Sequence, residues 1–199
     1  MSGRILQTRE LSEQDGQLLL KLARQTILNA FGAEGNRMDL LKSKASKRVC
    51  EDKRGTFVTL HKGGELRGCI GNIEPGKTIF DGVVDNARYA AFKDSRFKPV
   101  SFKELDQIQI EVSILTQPEK LEYNSQQDLI SKLETKTQGV IIEKGYHKAT
   151  FLPQVWQQLD TPEVFLDHLC SKAGLSAGEW KSCNLDIYTY QVQLFEEPA

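Results

Sequence analysis

Apolar residues along the chain change their period several times, and each change marks an element. Leu19, Ala23, Ile27 and Phe31 recur every four residues after Ser12, whose spacing to Asp15 is that of a capping box, and Gly32 stands where the run stops. An amphipathic helix is predicted there. From Asn36 to Arg54 the periodicity is lost, and an exposed loop or short helix is expected. The period then falls to two: residues 56–62 and 65–70 flank Gly63-Gly64, whose glycines suit a tight turn, so a β-hairpin is predicted. With Lys62 opposite Glu65, counting outward sets Leu60 against Arg67, Val58 against Cys69 and Phe57 against Ile70, so both faces of the ribbon carry large apolar side chains that need cover.

Thr78-x-x-Asp81 caps a second helix whose narrow face is Ile79, Val83, Ala87, Ala90 and Ala91, small enough to pack closely on a sheet. Ser101-x-x-Glu104 opens a short turn of helix. Ile108, Ile110, Val112 and Ile114 then alternate with Gln109, Glu111 and Ser113 in a strand whose second face is polar. Ser125-x-x-Asp128 caps a third helix, a second hairpin turns at Gly145, and Pro153 ends its last strand. Thr161-Pro162 starts a helix that runs to Gly174, and residues 185–195 close the chain as a strand with Tyr188, Tyr190, Val192 and Leu194 on one side. Hairpins and helices mix without regular βαβ alternation, which predicts an α+β protein with a largely antiparallel sheet flanked by helices.

Composition adds limits. The 199 residues are 39% hydrophobic and 27% charged, the balance of a chain that forms a core of its own, and one domain over 1–199 is expected. Lys+Arg number 26 and Asp+Glu 27, so no global positive field recruits nucleic acid, although Lys42, Lys44, Lys47, Arg48, Lys53 and Arg54 make a local cationic stretch. Its cations are not interleaved with clustered aromatics that would stack bases, so nucleic acid is disfavoured as a partner. No apolar run approaches the length of a membrane span and the start lacks a secretory apolar region; a cytoplasmic protein without membrane association is expected. The four cysteines include no C-x-x-C pair, as suits a reducing compartment.

The chemistry concentrates in Leu66-Arg67-Gly68-Cys69-Ile70-Gly71. Two glycines, a cation and a thiol interrupt an apolar strand, and glycine in a strand often marks close approach of a ligand or another backbone. Arg67 and Cys69, two apart, point the same way on an extended chain, where the guanidinium would favour the thiolate; the competing reading is a small buried cysteine beside a structural ion pair. Glu111 is solvated on the open face, paired with a cation such as Arg67, or kept as an acid/base group. Arg96, in Asp94-Ser95-Arg96-Phe97, either holds an anion or answers the helix dipole. His147 lies at a hairpin tip; His168 and Cys170, two apart on a helix, point apart and are poor co-ligands. No metal site and no cofactor are indicated, and the H-E-x-x-H, G-x-S-x-G and phosphate-loop patterns are missing. Gly68-Cys69-Ile70-Gly71 matches the GXXG of a KH module only formally, since that loop joins helices.

Taken together, Gly55-Thr56-Phe57-Val58-Thr59-Leu60, the L-R-G-C-I-G string at 66–71, Asp94-Ser95-Arg96-Phe97-Lys98-Pro99-Val100 and Ile110-Glu111-Val112-Ser113-Ile114-Leu115 resemble the AMMECR domain family, protein A of the AmmeMemoRadiSam system. The likeness runs on through Gly139-Val140-Ile141-Ile142, Phe151-Leu152-Pro153-Gln154-Val155 and residues 165–175, nearly the whole chain. Lys98 departs from the Pro of many relatives, and the cationic stretch before Gly55 lies outside the pattern. The resemblance implies an α+β fold with a larger and a smaller subdomain, discontinuous in sequence, and an L-R-G-C-I-G segment near a cleft. It implies association with a Memo-like protein and a radical S-adenosylmethionine protein in a shared modification pathway, without fixing whether this chain is an enzyme. The expected site is Cys69 and Glu111 as reacting groups, with Arg67, Gly68, Gly71 and Arg96 binding a small or peptide-like ligand. A noncatalytic adaptor or nucleic-acid-binding regulatory module is the alternative.

Overall fold

The computed structural model describes residues 10–32, 37–159 and 161–198. It is α+β, with antiparallel pairing in every described ladder. The chain divides into two compact units, residues 1–116 with 193–199, and residues 117–192.

In the first unit, helix α1 (Glu13–Asn29) starts at the predicted capping box: Ser12 accepts from the Asp15 N–H, and the Asp15 carboxylate accepts from the Ser12 backbone. Leu19, Leu22, Ala23 and Ile27 of this helix are fully buried. Ser12→Ala is expected to cost about 1 kcal/mol, read as a lower urea midpoint with an unchanged slope. The segment without periodicity forms two short helices, α2 (Arg37–Lys44) and α3 (Lys47–Glu51), and α2 buries no residue, which is why no period shows.

The predicted hairpin is β1 (Thr56–Lys62) and β2 (Glu65–Asn72), turning at Gly63 and Gly64 with φ of +60° and +82°. Helix α4 (Ile79–Phe92) follows from the Thr78 cap, then a 3-10 turn (Phe102–Gln107) and strand β3 (Ile108–Leu115), in the order β2-β1-β3. Val58, Leu60, Ile110, Val112 and Ile114 face the helices and make one core with Ile79, Val83, Ala87, Ala90 and Ala91. Asn86 of α4 is buried and donates to the Thr56 carbonyl (2.9 Å), the Thr56 hydroxyl (2.8 Å) and the Asn72 amide oxygen (3.1 Å), a polar cross-link from helix to both hairpin strands. The chain end is fixed by Glu197: its carboxylate accepts from Arg24 and from the Ile110 N–H, and its own N–H donates to the Ile110 carbonyl.

The register of the hairpin corrects the one expected from sequence. Lys62 pairs with Glu65 and His61 with Leu66, but Leu60 then pairs with Gly68, Thr59 with Cys69 and Val58 with Ile70. A β-bulge takes up Arg67. One unpaired residue moves everything beyond it to the other face, because side chains alternate with period two. Ile70 therefore joins Val58 over the core, while Cys69 turns to the opposite face beside Thr59. Phe57, expected opposite Ile70, stands opposite Gly71 instead.

The second unit holds β4 (Glu119–Lys120), helix α5 (Gln126–Lys132), the hairpin β5 (Gln138–Lys144) and β6 (His147–Phe151), helix α6 (Pro162–Lys172) and the greater part of β7 (Asp186–Glu196). β5 pairs with both β6 and β7, and Val140, Ile142 and Ile187 pack against Phe165, Leu166, Leu169, Trp156 and Trp180. In β7 it is Ile187, Tyr190 and Phe195 that are buried, and Leu194 is exposed, so the side expected from alternation is not the buried one throughout.

Candidate functional site

Register places the thiol and the carboxylate. Thr59 in the central strand β1 pairs with Cys69 on one side and with Glu111 of β3 on the other. The three side chains form a row across the sheet face away from the helices, with Cys69 and Glu111 about 10 Å apart backbone to backbone and Thr59 between them. His61 and Ser113 share that face and flank Glu111: His61 Nε2 lies 3.7 Å from its carboxylate and the Ser113 hydroxyl 3.5 Å. The Thr59 hydroxyl donates to the Cys69 sulfur at 3.3 Å. Cys69 and Glu111 are half-buried and Thr59 is buried.

Burial dominates the electrostatics of the row. It pushes the Cys69 thiol up, and Glu111 and Asp94 add to this, while the Thr59 hydroxyl and the Arg96 charge pull the other way. Glu111 is likewise raised by burial, with the neighbouring His61 opposing. The thiol is thus held protonated at neutral pH, the reverse of the thiolate that a guanidinium two residues away would favour.

Arg67 explains the difference. Its guanidinium is turned away to Glu104, with Nη2 donating to Oε1 at 2.9 Å and Nε to Oε2 at 3.4 Å, and Nη2 also donates to the Lys98 carbonyl. Glu104 accepts in addition from Lys62 at 3.1 Å and from the Ser101 N–H, which holds its carboxyl far down, at about 2. Of the alternatives the sequence left open for Glu111, pairing with Arg67 is removed: Arg67 pairs with Glu104, because it occupies the bulge rather than a ladder position.

The cation beside Cys69 is Arg96. Its Nη2 donates to the Cys69 carbonyl at 3.1 Å, and Nε and Nη2 both reach the buried Asp94 carboxylate, at 2.9 and 2.7 Å. Asp94 in turn accepts from the Cys69 N–H at 2.9 Å, and its carboxyl sits well below the ordinary range, first because of the Arg96 guanidinium. β2 is the outer strand of its ladder, so the two side chains supply at Cys69 the hydrogen bonds that a further strand would have made. Phe97 stacks under both arginines, its ring centre 5.5 Å from the Arg96 guanidinium carbon and 6.0 Å from that of Arg67.

The glycines of the string have protein neighbours. A Cβ on Gly68 would fall closer than 3.0 Å to the backbone carbonyl of Ala90 in α4, and one on Gly71 would enter the Phe57 ring. The close approach at these two positions is made by the chain's own helix and cross-strand aromatic.

The family profile for AMMECR1 matches residues 20–195. This chain belongs to the AMMECR1 family. The AMMECR1 chain is 41% identical over 190 residues to a protein of Methanosarcina mazei, across 94% of each, and 38% identical over 196 residues to protein MK0488 of Methanopyrus kandleri, across 94% of this chain and 91% of that one. The crystal structure of uncharacterized protein PH0010 from Pyrococcus horikoshii has the same architecture, with a TM-score of 0.75 and 32% identity over 94% of this chain and 93% of that one.

Elsewhere the AMMECR1 chain engages its candidate groups internally. In the cationic stretch Lys47 pairs with Glu51, Arg54 with Asp52, Arg48 donates to the Glu10 carbonyl, and Lys42 lies over the Phe80 ring. His147 Nδ1 is 2.9 Å from the Ala173 carbonyl; Cys170 is buried and His168 exposed. Among the described residues no three His, Cys, Asp or Glu side chains gather as metal ligands would, and no helix is long and apolar enough to cross a membrane. Sequence reasoning missed Thr59, His61 and Glu104 as partners of the site. The signal available for the first two was the strand glycine Gly68, a frequent mark of a bulge.

Proposed function

We propose that this AMMECR1 chain is the ligand-holding component of a modification pathway shared with a Memo-like and a radical S-adenosylmethionine protein, and that it holds a small or peptide-like ligand against the row Cys69, Thr59 and Glu111. The pathway rests on the family resemblance. The row rests on one observation: the ladder beyond Arg67 brings a thiol, a hydroxyl and a carboxylate into register on the sheet face away from the helices. A protonated thiol beside a hydroxyl and a carboxyl group offers hydrogen-bond donors and acceptors to a bound molecule, and Glu111, raised by burial and with His61 next to it, can exchange a proton with that molecule. Holding a ligand fits this row better than attack by a resting thiolate, since the thiol is pushed up.

Two measurements test the reading. With iodoacetamide at neutral pH, the exposed Cys183 is expected to be alkylated before Cys69; a Cys69 that reacts first would replace ligand holding by nucleophilic catalysis. In native mass spectrometry of the chain co-purified with the two partner proteins, a retained small molecule is expected in the wild type and lost from Glu111→Gln. A stable complex that retains nothing and is indifferent to Cys69→Ala would make the chain a scaffold.

A further inference from the structure

The charges around Phe97 are unevenly layered. Three cations, Lys62, Arg67 and Arg96, meet two carboxylates, Asp94 and Glu104, and Lys98 follows Arg96 by two residues in the chain. The carboxylates are the inner members: the Asp94 side chain is 4% exposed and that of Glu104 15%, against 55% for Arg96 and 38% for Lys62. Glu104 alone answers both Lys62 and Arg67, and Arg67 Nη1 is left as a buried nitrogen without a hydrogen-bond partner. Positive charge is thus in excess by one, and the outer charges are those of Arg96 and Lys62, Arg67 lying as deep as Glu104.

Arg96 carries this excess to Cys69. Its Nε and Nη2 are used by Asp94 and the Cys69 carbonyl, while Nη1 meets no acceptor among the described residues, so the guanidinium is half engaged. Stacking on Phe97 and two bonds to a buried carboxylate fix its plane before anything binds, which is the arrangement that recognises a planar or tetrahedral oxyanion at low entropic cost. Lys98 is exposed, and its backbone carbonyl is held by Arg67.

We propose that the ligand carries an oxyanion, a carboxylate or a phosphate group, which seats on Arg96 with Lys98 beside it, while the rest of the molecule lies toward Cys69. This rests on the reading of the Cys69 row given above and names the chemical class of what binds there.

The test is titration of the isotope-labelled full chain with N-acetylglutamate, its neutral counterpart N-acetylglutamine α-amide, and inorganic phosphate, followed by NMR at the Arg96 Nε–H, the Cys69 Cβ and the Glu111 carboxyl. Saturable shifts at Arg96 are expected with one or both anions and not with the neutral compound. The anion that saturates tells a carboxylate source from a phosphate one. Arg96→Gln is expected to weaken binding about tenfold or more, as loss of a charged hydrogen bond does. Because that substitution also strands Asp94, Lys98→Ala provides the check that leaves the fold alone, with an expected loss of about threefold. Equal response to N-acetylglutamine α-amide, no saturation by either anion below about 50 mM, or full binding by Lys98→Ala would overturn the proposal. Response at Arg96 with Cys69 and Glu111 silent would leave the anion seat standing and remove the row as the place of the ligand's body; response of the row to N-acetylglutamine α-amide with Arg96 silent would do the opposite.

Discussion

Gly68→Ala is expected to destabilise the first unit by about 3 kcal/mol, lowering its melting temperature by about 6–12 °C. The methyl group has nowhere to go. It would point at the Ala90 carbonyl, a backbone atom in the last turn of a packed helix, and neither helix nor strand can retreat without losing neighbours: Ala90 is 2% exposed and Leu60, opposite Gly68 on β1, is fully buried. The helix is further held to the hairpin by Asn86, which fixes the distance that the methyl group would have to increase. Gly76→Ala, where a Cβ meets nothing within 4 Å, is the matched control and should melt as the wild type does. Equal melting of the two variants would mean that the helix does not press on β2 as described.

The second large effect is at Glu104. Glu104→Ala removes the carboxylate bonded to Arg67, whose side chain is 16% exposed, together with the partner of Lys62 and the acceptor for the Ser101 N–H. A mostly buried guanidinium left without its anion is costly, and a loss of about 3 kcal/mol is expected in urea unfolding. Acid makes the same point in the wild type. Glu104 is ionised in the folded protein down to about 2, against an ordinary 4.5, so its contribution is complete above about 4.5 and is lost as pH falls toward 2. Asp94, depressed by Arg96, acts in the same direction. Stability of the wild type should therefore fall across this window, and that of Glu104→Ala should fall less steeply, Asp94 still contributing. Parallel curves would show that Glu104 does not carry the charge pairing assigned to it.

The sequence was most readable where one rule acts locally. Ser12 with Asp15, Thr78 with Asp81 and Ser125 with Asp128 cap helices as their spacing says, because a capping bond depends only on residues three apart. The alternation from Ile108 to Ile114 gave β3 and its buried face for the same reason. The site was readable in part. Cys69, Glu111 and Arg96 could be singled out as residues out of keeping with their strands and turns, yet their partners could not, since those depend on which residue stands across a ladder. Arg67 illustrates the limit: an extended strand puts it on the Cys69 side, whereas the bulge sends it to Glu104, 37 positions away in the chain.

The bulge has a consequence for how this hairpin can vary. The two strands are aligned in one frame from the turn to His61 and in another beyond it, and only the supernumerary Arg67 separates the frames. Removing that one residue would merge the two frames with Cys69 still opposite Thr59 and Ile70 still opposite Val58, so the row would survive and the ion pair of Arg67 with Glu104 would be lost. The extra residue therefore serves the ion pair rather than the row, and a relative with a single-residue gap at this place would keep thiol, hydroxyl and carboxylate aligned while losing the tie from the hairpin to Glu104.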